Sequence, residues 1–135
     1  MKTVLDAWAL LAYLQHEEPA ATRVVEVLRE AQSKRAELFA SIINVGEVYY
    51  SVGRRHGLET ADETLEELRL LPITIVRADQ DTVLNAARLK MKHSLSYADA
   101  FAAATANALK ATLMTGDPEL IEMHRVVKVE TLTRD

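Results

Sequence analysis

The chain has 135 residues, 49% of them hydrophobic, and a formal net charge of -4. Such a chain is expected to fold as one domain, residues 1–135, with a full hydrophobic core, and intrinsic disorder is excluded. It contains no cysteine, which excludes disulfides, zinc–thiolate centres and thiol nucleophiles and fits a reducing compartment. The charge excludes a protein that coats nucleic acid by electrostatics alone, but not one with an acidic cation pocket and a local basic rim.

In chain order, Lys2 to Leu5 is predicted as a short strand, followed at once by an apolar helix from Ala7 to about Gln15. Asp6 interrupts this apolar run, Glu17 and Glu18 follow it, and it is too short to span a bilayer, so neither a signal peptide nor a membrane anchor is read here and a cytoplasmic protein is expected. Glu18 to about Lys34 has helical spacing, with Ala21, Val24, Val25, Leu28 and Ala31 on one side. Glu37 to Ile42 is the next predicted strand, and Asn44 to about His56 a helix ended by Gly57. Leu58 to about Leu70 is a further helix, and Ile73 to Val76 a strand introduced by Pro72. Two helices follow, Gln80 to about Lys92 and Tyr97 to about Lys110, then the strands Ala111 to Thr115 and Val126 to Val129. Strands alternating with helices, each strand short and apolar, predict a three-layer α/β/α sandwich around a mainly parallel sheet.

In such sheets ligands bind outside the carboxyl ends of the strands. Asp6 follows "KTVL" and Asp117 follows "ATLMTG", so both fall at such ends. Glu47 in "SIINVGEVYY" and Asp99 in "SLSYADAFAAATANAL" fall near helix starts on the same edge. Each acid has an ordinary explanation. Asp6 can cap a helix, Glu47 and Asp99 stand three residues after Asn44 and Ser96 at capping-box spacing, and Asp117 precedes Pro118 in a turn. Together, four carboxylates on one edge raise one another's pKa unless a cation neutralises them. An oxygen-only donor set without His or Cys suits Mg2+ or Mn2+. The alanine-rich helix around Asp99, with Ala98, Ala100, Ala102, Ala103, Ala104, Ala106 and Ala108, lets its backbone approach the sheet closely and hold Asp99 in place.

The segments "VLDAWALLAYL", "INVGEV", "LSYADAFAAATA" and "LMTGDPEL" resemble the four acidic motifs of PIN-domain nucleases, above all the VapC-type toxins of toxin–antitoxin pairs. The resemblance implies a PIN-like fold, Mg2+- or Mn2+-dependent endoribonuclease activity, inhibition by a small antitoxin, and a homodimer. It places Asp6, Glu47, Asp99 and Asp117 on the acidic positions, Thr115 on the hydroxyl position of the T-G-D motif, and Asn44 on the polar position before the second acid. Asp6, Asp99 and Asp117 are then the expected metal ligands, with Glu47 a direct ligand, a water-mediated one or a general base. Trp8 departs from the pattern, standing where many members carry Ser, Thr or Asn, and Leu120 stands where an aromatic often sits. Glu119 is read either as an outer metal or water contact or as a solvated side chain. Ser96, Lys92 and His93 are candidate RNA contacts beside a helix start, whereas Arg54 and Arg55 read as a solvated helix end. A groove between the first two helices and the Asn44 helix, with Trp8, Leu11, Tyr49 and Tyr50, is the expected seat of an apolar antitoxin helix. Two rival readings remain. A receiver-like phosphotransfer domain needs an acid pair after its first strand, and Ala7 follows Asp6; a non-catalytic interaction module would use the acids only as caps.

Overall fold

The computed structural model describes residues 1–135. Five strands form one sheet: β1 (Lys2–Leu5), β2 (Glu37–Ser41), β3 (Ile73–Val76), β4 (Thr112–Thr115) and β5 (Val129–Thr131). Their order is β3-β2-β1-β4-β5, and every pairing is parallel. The expected mainly parallel sheet is thus wholly parallel.

Side chains alternate across the strands and set up two cores. The register pairs Val4 with Leu113 and Phe39 on one face, and Leu5 with Met114 on the other. The Leu5 face also carries Leu38 and Ala40 and is covered by α1 (Ala7–Leu14), α2 (Ala20–Gln32), α3 (Ile42–His56) and α4 (Leu58–Leu70). The Val4 face is covered by α5 (Gln80–Lys92), α6 (Tyr97–Leu109) and the short α7 (Pro118–Ile121). The layers are therefore helix, sheet and helix, as expected. Asp99 through Ala106 of α6 are all buried, because alanine side chains let this helix lie close against the sheet.

Two boundaries and one additional helix differ from expectation, each for a local reason. The helix expected from Asn44 begins at Ile42, because the Ser41 hydroxyl at the end of β2 accepts the Ile43 N–H at 3.2 Å and caps it. Asn44 is therefore a buried residue of the first turn. The last strand is Val129–Thr131, three residues later than expected. Val126 and Val127 close the turn after α7, both donating to the Met123 carbonyl, and Val127 packs into the α6 core. The helix α7 follows Asp117, whose side chain accepts the Glu119 N–H at 2.9 Å, with Pro118 at the first helical position.

The chain winds outward from β1 to β2 and β3 on one side and from β4 to β5 on the other. The strand order thus reverses between β1 and β4, and the crevice outside their carboxyl ends is the topological switch point at which such sheets bind ligands. No helix is long and apolar enough to cross a membrane.

Candidate active site

Asp6 and Asp117 leave β1 and β4, the two strands that flank the switch point. Asp6 is 2% exposed. One of its carboxylate oxygens caps α1, accepting the Ala9 N–H at 2.8 Å, and the other accepts a short hydrogen bond from the Thr115 hydroxyl. The Thr115 oxygen in turn accepts the Asp117 N–H at 3.0 Å. One hydroxyl on the last residue of β4 therefore ties the end of β1 to the backbone of Asp117.

Asp99 enters from α6, in whose first turn it lies, with its N–H donating to the Ser96 hydroxyl at 3.1 Å. Ser96 acts as the helix cap. Carboxylate oxygens of Asp99, Asp117 and Glu119 all lie within 4.8 Å of one another. Glu119 is thus drawn into the cluster by the turn of α7. Glu47 reaches the same edge from α3, half-buried and one turn after Asn44, whose amide donates to Glu47 at 3.4 Å and to the Ala98 carbonyl at 3.1 Å. That amide clamps α3 to the start of α6. Its own oxygen is buried without a hydrogen-bond partner.

The electrostatics follow from this crowding. Burial, with smaller contributions from the charges of Asp99 and Asp117, pushes Asp6 up from its ordinary 3.8 to about 7 against the opposing bonds from Thr115 and Ala9. Asp99 is also held well above the usual carboxylate range, first by burial, then by the charge of Asp117 and a hydrogen bond to it. Burial raises Glu47 as well, opposed by Asn44 and assisted by Asp117. The ion pairs of the molecule are made by Arg23, Arg69 and Arg134 with Glu17, Glu26, Glu30, Glu66 and Glu130, so no side-chain cation neutralises the cluster. The donors are all oxygens, the repulsion is uncompensated, and a polar oxygen is orphaned beside them. These features fit a hard divalent cation such as Mg2+ or Mn2+.

The ordinary explanations hold for Asp6, Asp99 and Asp117 but not for Glu47, because Ser41 rather than Asn44 caps its helix. Asp6 and Asp117 are helix caps, and Ser96 caps the helix of Asp99. Capping fixes the backbone end of each side chain, and the switch point brings the carboxylates of Asp99, Asp117 and Glu119 together. Asp6, with both oxygens bonded inside the fold, and Glu47 stand beside them. Of the candidate RNA contacts, Ser96 is exposed at the site edge, while His93 ends α5 and is half-buried. Lys92 lines a separate cavity between α5 and α6 with Arg88 and Asn107, about two helical turns beyond Asp99.

The expected apolar groove is different in kind. Trp8 lies against the backbone of Gly116, so closely that a Cβ there would meet the ring at 2.4 Å. Trp8 and Leu11 line a cavity shared with Arg54, Arg55 and Arg134. Tyr49 bonds Asp62, and the ring of exposed Tyr50 carries the Arg54 guanidinium. Arg54 and Arg55 are exposed at the helix end, as expected, and line this cavity as well. Arg134, which the sequence does not mark, is brought in by the pairing of Pro19 with Arg134 near the chain end.

Fold and site define a three-layer α/β domain with a carboxylate cluster at its topological switch point. The sequence matches the PIN domain family over residues 3–126, and the chain belongs to that family. Its fold is similar to VapBC2 from Rickettsia felis, solved bound to a DNA fragment from its promoter, with a TM-score of 0.76 at 18% identity over 98% of this chain and 100% of that one. It is also similar to DNA-bound VapBC from Salmonella typhimurium, at a TM-score of 0.74 and 16% identity over 97% and 98% of the two chains. VapC20 from Mycobacterium tuberculosis, described as a sarcin–ricin loop cleaving toxin, matches at 0.70 and 16% identity over 89% and 93%. No curated protein matches the chain in sequence.

Proposed function

We propose that this PIN domain is a divalent-metal-dependent endoribonuclease acting as the toxin of a toxin–antitoxin pair. The observation that carries the reading is the convergence of Asp99, Asp117 and Glu119 within 4.8 Å, beside Asp6 and Glu47, with no side-chain cation to balance them. Asp6, Asp99 and Asp117 are the proposed metal ligands, and Glu119 joins them. A bound divalent cation would neutralise these acids and the substrate phosphate and activate a water.

The protein's own groups do the positioning. Thr115 holds Asp6 and the Asp117 backbone in one register. Asn44 aims Glu47 while fixing the start of α6. Glu47, raised by burial, is suited to take a proton from the attacking water as general base. Ser96, exposed at the same edge, is placed to meet an RNA phosphate.

RNA as substrate is supported by the cleaving activity named for the Mycobacterium tuberculosis toxin, and the antitoxin by the VapBC complexes among the similar structures. An arginine or lysine of that antitoxin would compete with metal for the cluster, and the guanidinium fork suits paired carboxylates better than an ammonium does. A homodimer completes the reading. Met91 and Tyr97 stand exposed on α5 and α6, and sedimentation as an active monomer at micromolar concentration would remove this part. The main test is sequencing of RNA 5′ ends after controlled expression of wild type and Asp99→Asn. New ends confined to the wild type are expected; the same ends in both would overturn the assignment.

A further inference from the structure

The cavity between α1 and α3 has a character the nuclease reading does not use. Its volume is about 400 Å3, and Arg54, Arg55 and Arg134 line it with Trp8, Gln15 and Ser51. Three positive charges and no acid thus face one cavity on a chain of net charge -4. Arg54 and Arg55 are exposed and make no ion pair, while Arg134 pairs with Glu17 at 3.0 Å and lies over the Trp8 ring at 5.0 Å.

We propose that this cavity is a substrate subsite, in which the arginines hold a backbone phosphate of single-stranded RNA next to the scissile one, with Trp8 lining the cavity between them and the acids. The proposal rests on the nuclease reading and adds the route the strand takes. Both walls of the cavity begin at the acids. Helix α1 is capped by Asp6, and Trp8 lies against Gly116, the residue before Asp117. On α3, Ser51 is one turn beyond Glu47 and Arg54 and Arg55 are two turns beyond, about 10–12 Å along the axis. A strand whose scissile phosphate meets the acids can therefore carry a neighbouring phosphate past Ser51 to the two arginines. Guanidinium forks match phosphate oxygens, and a strand bound there would lie against the Arg134 that covers the Trp8 ring. The arginine wall favours this polyanion over an apolar helix of a protein partner.

Trp8 is the sole tryptophan, so its fluorescence reports this cavity directly. Wild type and Arg54→Gln/Arg55→Gln are titrated with a short single-stranded RNA of mixed sequence in chelator, and cleavage of the same RNA is followed with Mg2+. Both arginines are exposed, and circular dichroism checks the fold. RNA is expected to quench Trp8 in the wild type. In the double variant KM rises roughly tenfold with kcat held, as for lost charge-assisted contacts, and the salt dependence of binding flattens by about 0.7 in log–log slope per phosphate released. Unchanged KM and salt slope, with wild type active and Trp8 indifferent to RNA, would overturn the subsite and leave the nuclease reading standing. A wild type that cuts no RNA, yet shows arginine-dependent quenching, would sink the nuclease reading and keep the cavity as an RNA-binding site. A variant with normal RNA kinetics but weakened binding of the purified antitoxin would assign the cavity to the protein partner and overturn the proposal.

Discussion

The carboxyl edge of the sheet and the rest of the core are built on opposite terms. Seven polar or charged residues are buried, and five of them, Asp6, Ser41, Asn44, Asp99 and Thr115, stand at that edge, with only Thr3 and Thr105 elsewhere. The two apolar cores contribute stability through burial, roughly 25 cal/mol per Å2 removed from water. The edge does the reverse, because burying carboxylates without counter-charge is unfavourable. The difference shows where folding free energy has been given up, and that place is the switch point. Stabilising and destabilising substitutions should therefore separate cleanly between the two regions.

The largest effect is expected from the acids. Asp99→Asn or Asp117→Asn should lower metal-dependent RNA cleavage more than ~100-fold, since the metal contributes several kcal/mol to the transition state. Melting in chelator should show the same variants as stable as wild type or more so, because repulsion is relieved. The core should respond in the opposite sense. Leu113 is fully buried, and Leu113→Ala should cost ~2–5 kcal/mol in denaturant unfolding without changing the metal requirement of the remaining folded protein.

Thr115→Val sits on the boundary between the regions. It removes the hydroxyl shared by Asp6 and the Asp117 N–H while keeping the side-chain volume. Cleavage should fall ~10–100-fold, the usual consequence of losing a group that orients a ligand, at a stability cost of ~1–3 kcal/mol for the buried groups left unpaired. Equal activity in the valine variant would mean that the hydroxyl serves the fold alone.

A smaller effect is expected from pH. Asp6 has a folded pKa of about 7 against an ordinary 3.8, so between these values the native state holds a proton that the unfolded chain has lost. That contribution to stability is fully present below about pH 4 and is lost as pH rises towards about 7. Asp99 and Glu47 are raised too and act in the same direction. Metal-free melting temperature should therefore decline across this window, and the slope should shrink in Asp6→Asn. A melting temperature that rises from pH 4 to 7 would contradict the direction of all three shifts.

The sequence carried the sheet and the acids because both are local signals. Short apolar runs bounded by Asp, Gly and Pro mark parallel strands, and a carboxylate at the end of such a run already stands at a ligand-binding edge. Longer-range features left a weaker trace or none, and the sequence leaves Glu119 open between a metal contact and a solvated side chain. Glu119 joins the cluster through a four-residue helix too short to be periodic. Val126 and Val127 look like strand residues but close a turn, in which Val127 is buried in the α6 core while Val126 stays exposed. Arg134 reaches Trp8 from the opposite end of the chain, and the Trp8 ring lies where only glycine at 116 leaves it room.

The central claim is that the carboxyl edge is built to be completed by a divalent cation. Its most direct test is thermal unfolding at pH 7 with increasing Mg2+ or Mn2+, for wild type and for Asp99→Asn. The account predicts that metal raises the wild-type melting temperature in a saturable way, as a ligand bound only to the native state must. It also predicts that the variant starts at an equal or higher temperature without metal and responds little. A wild type indifferent to both metals, or a variant that melts lower and gains as much from metal, would contradict it.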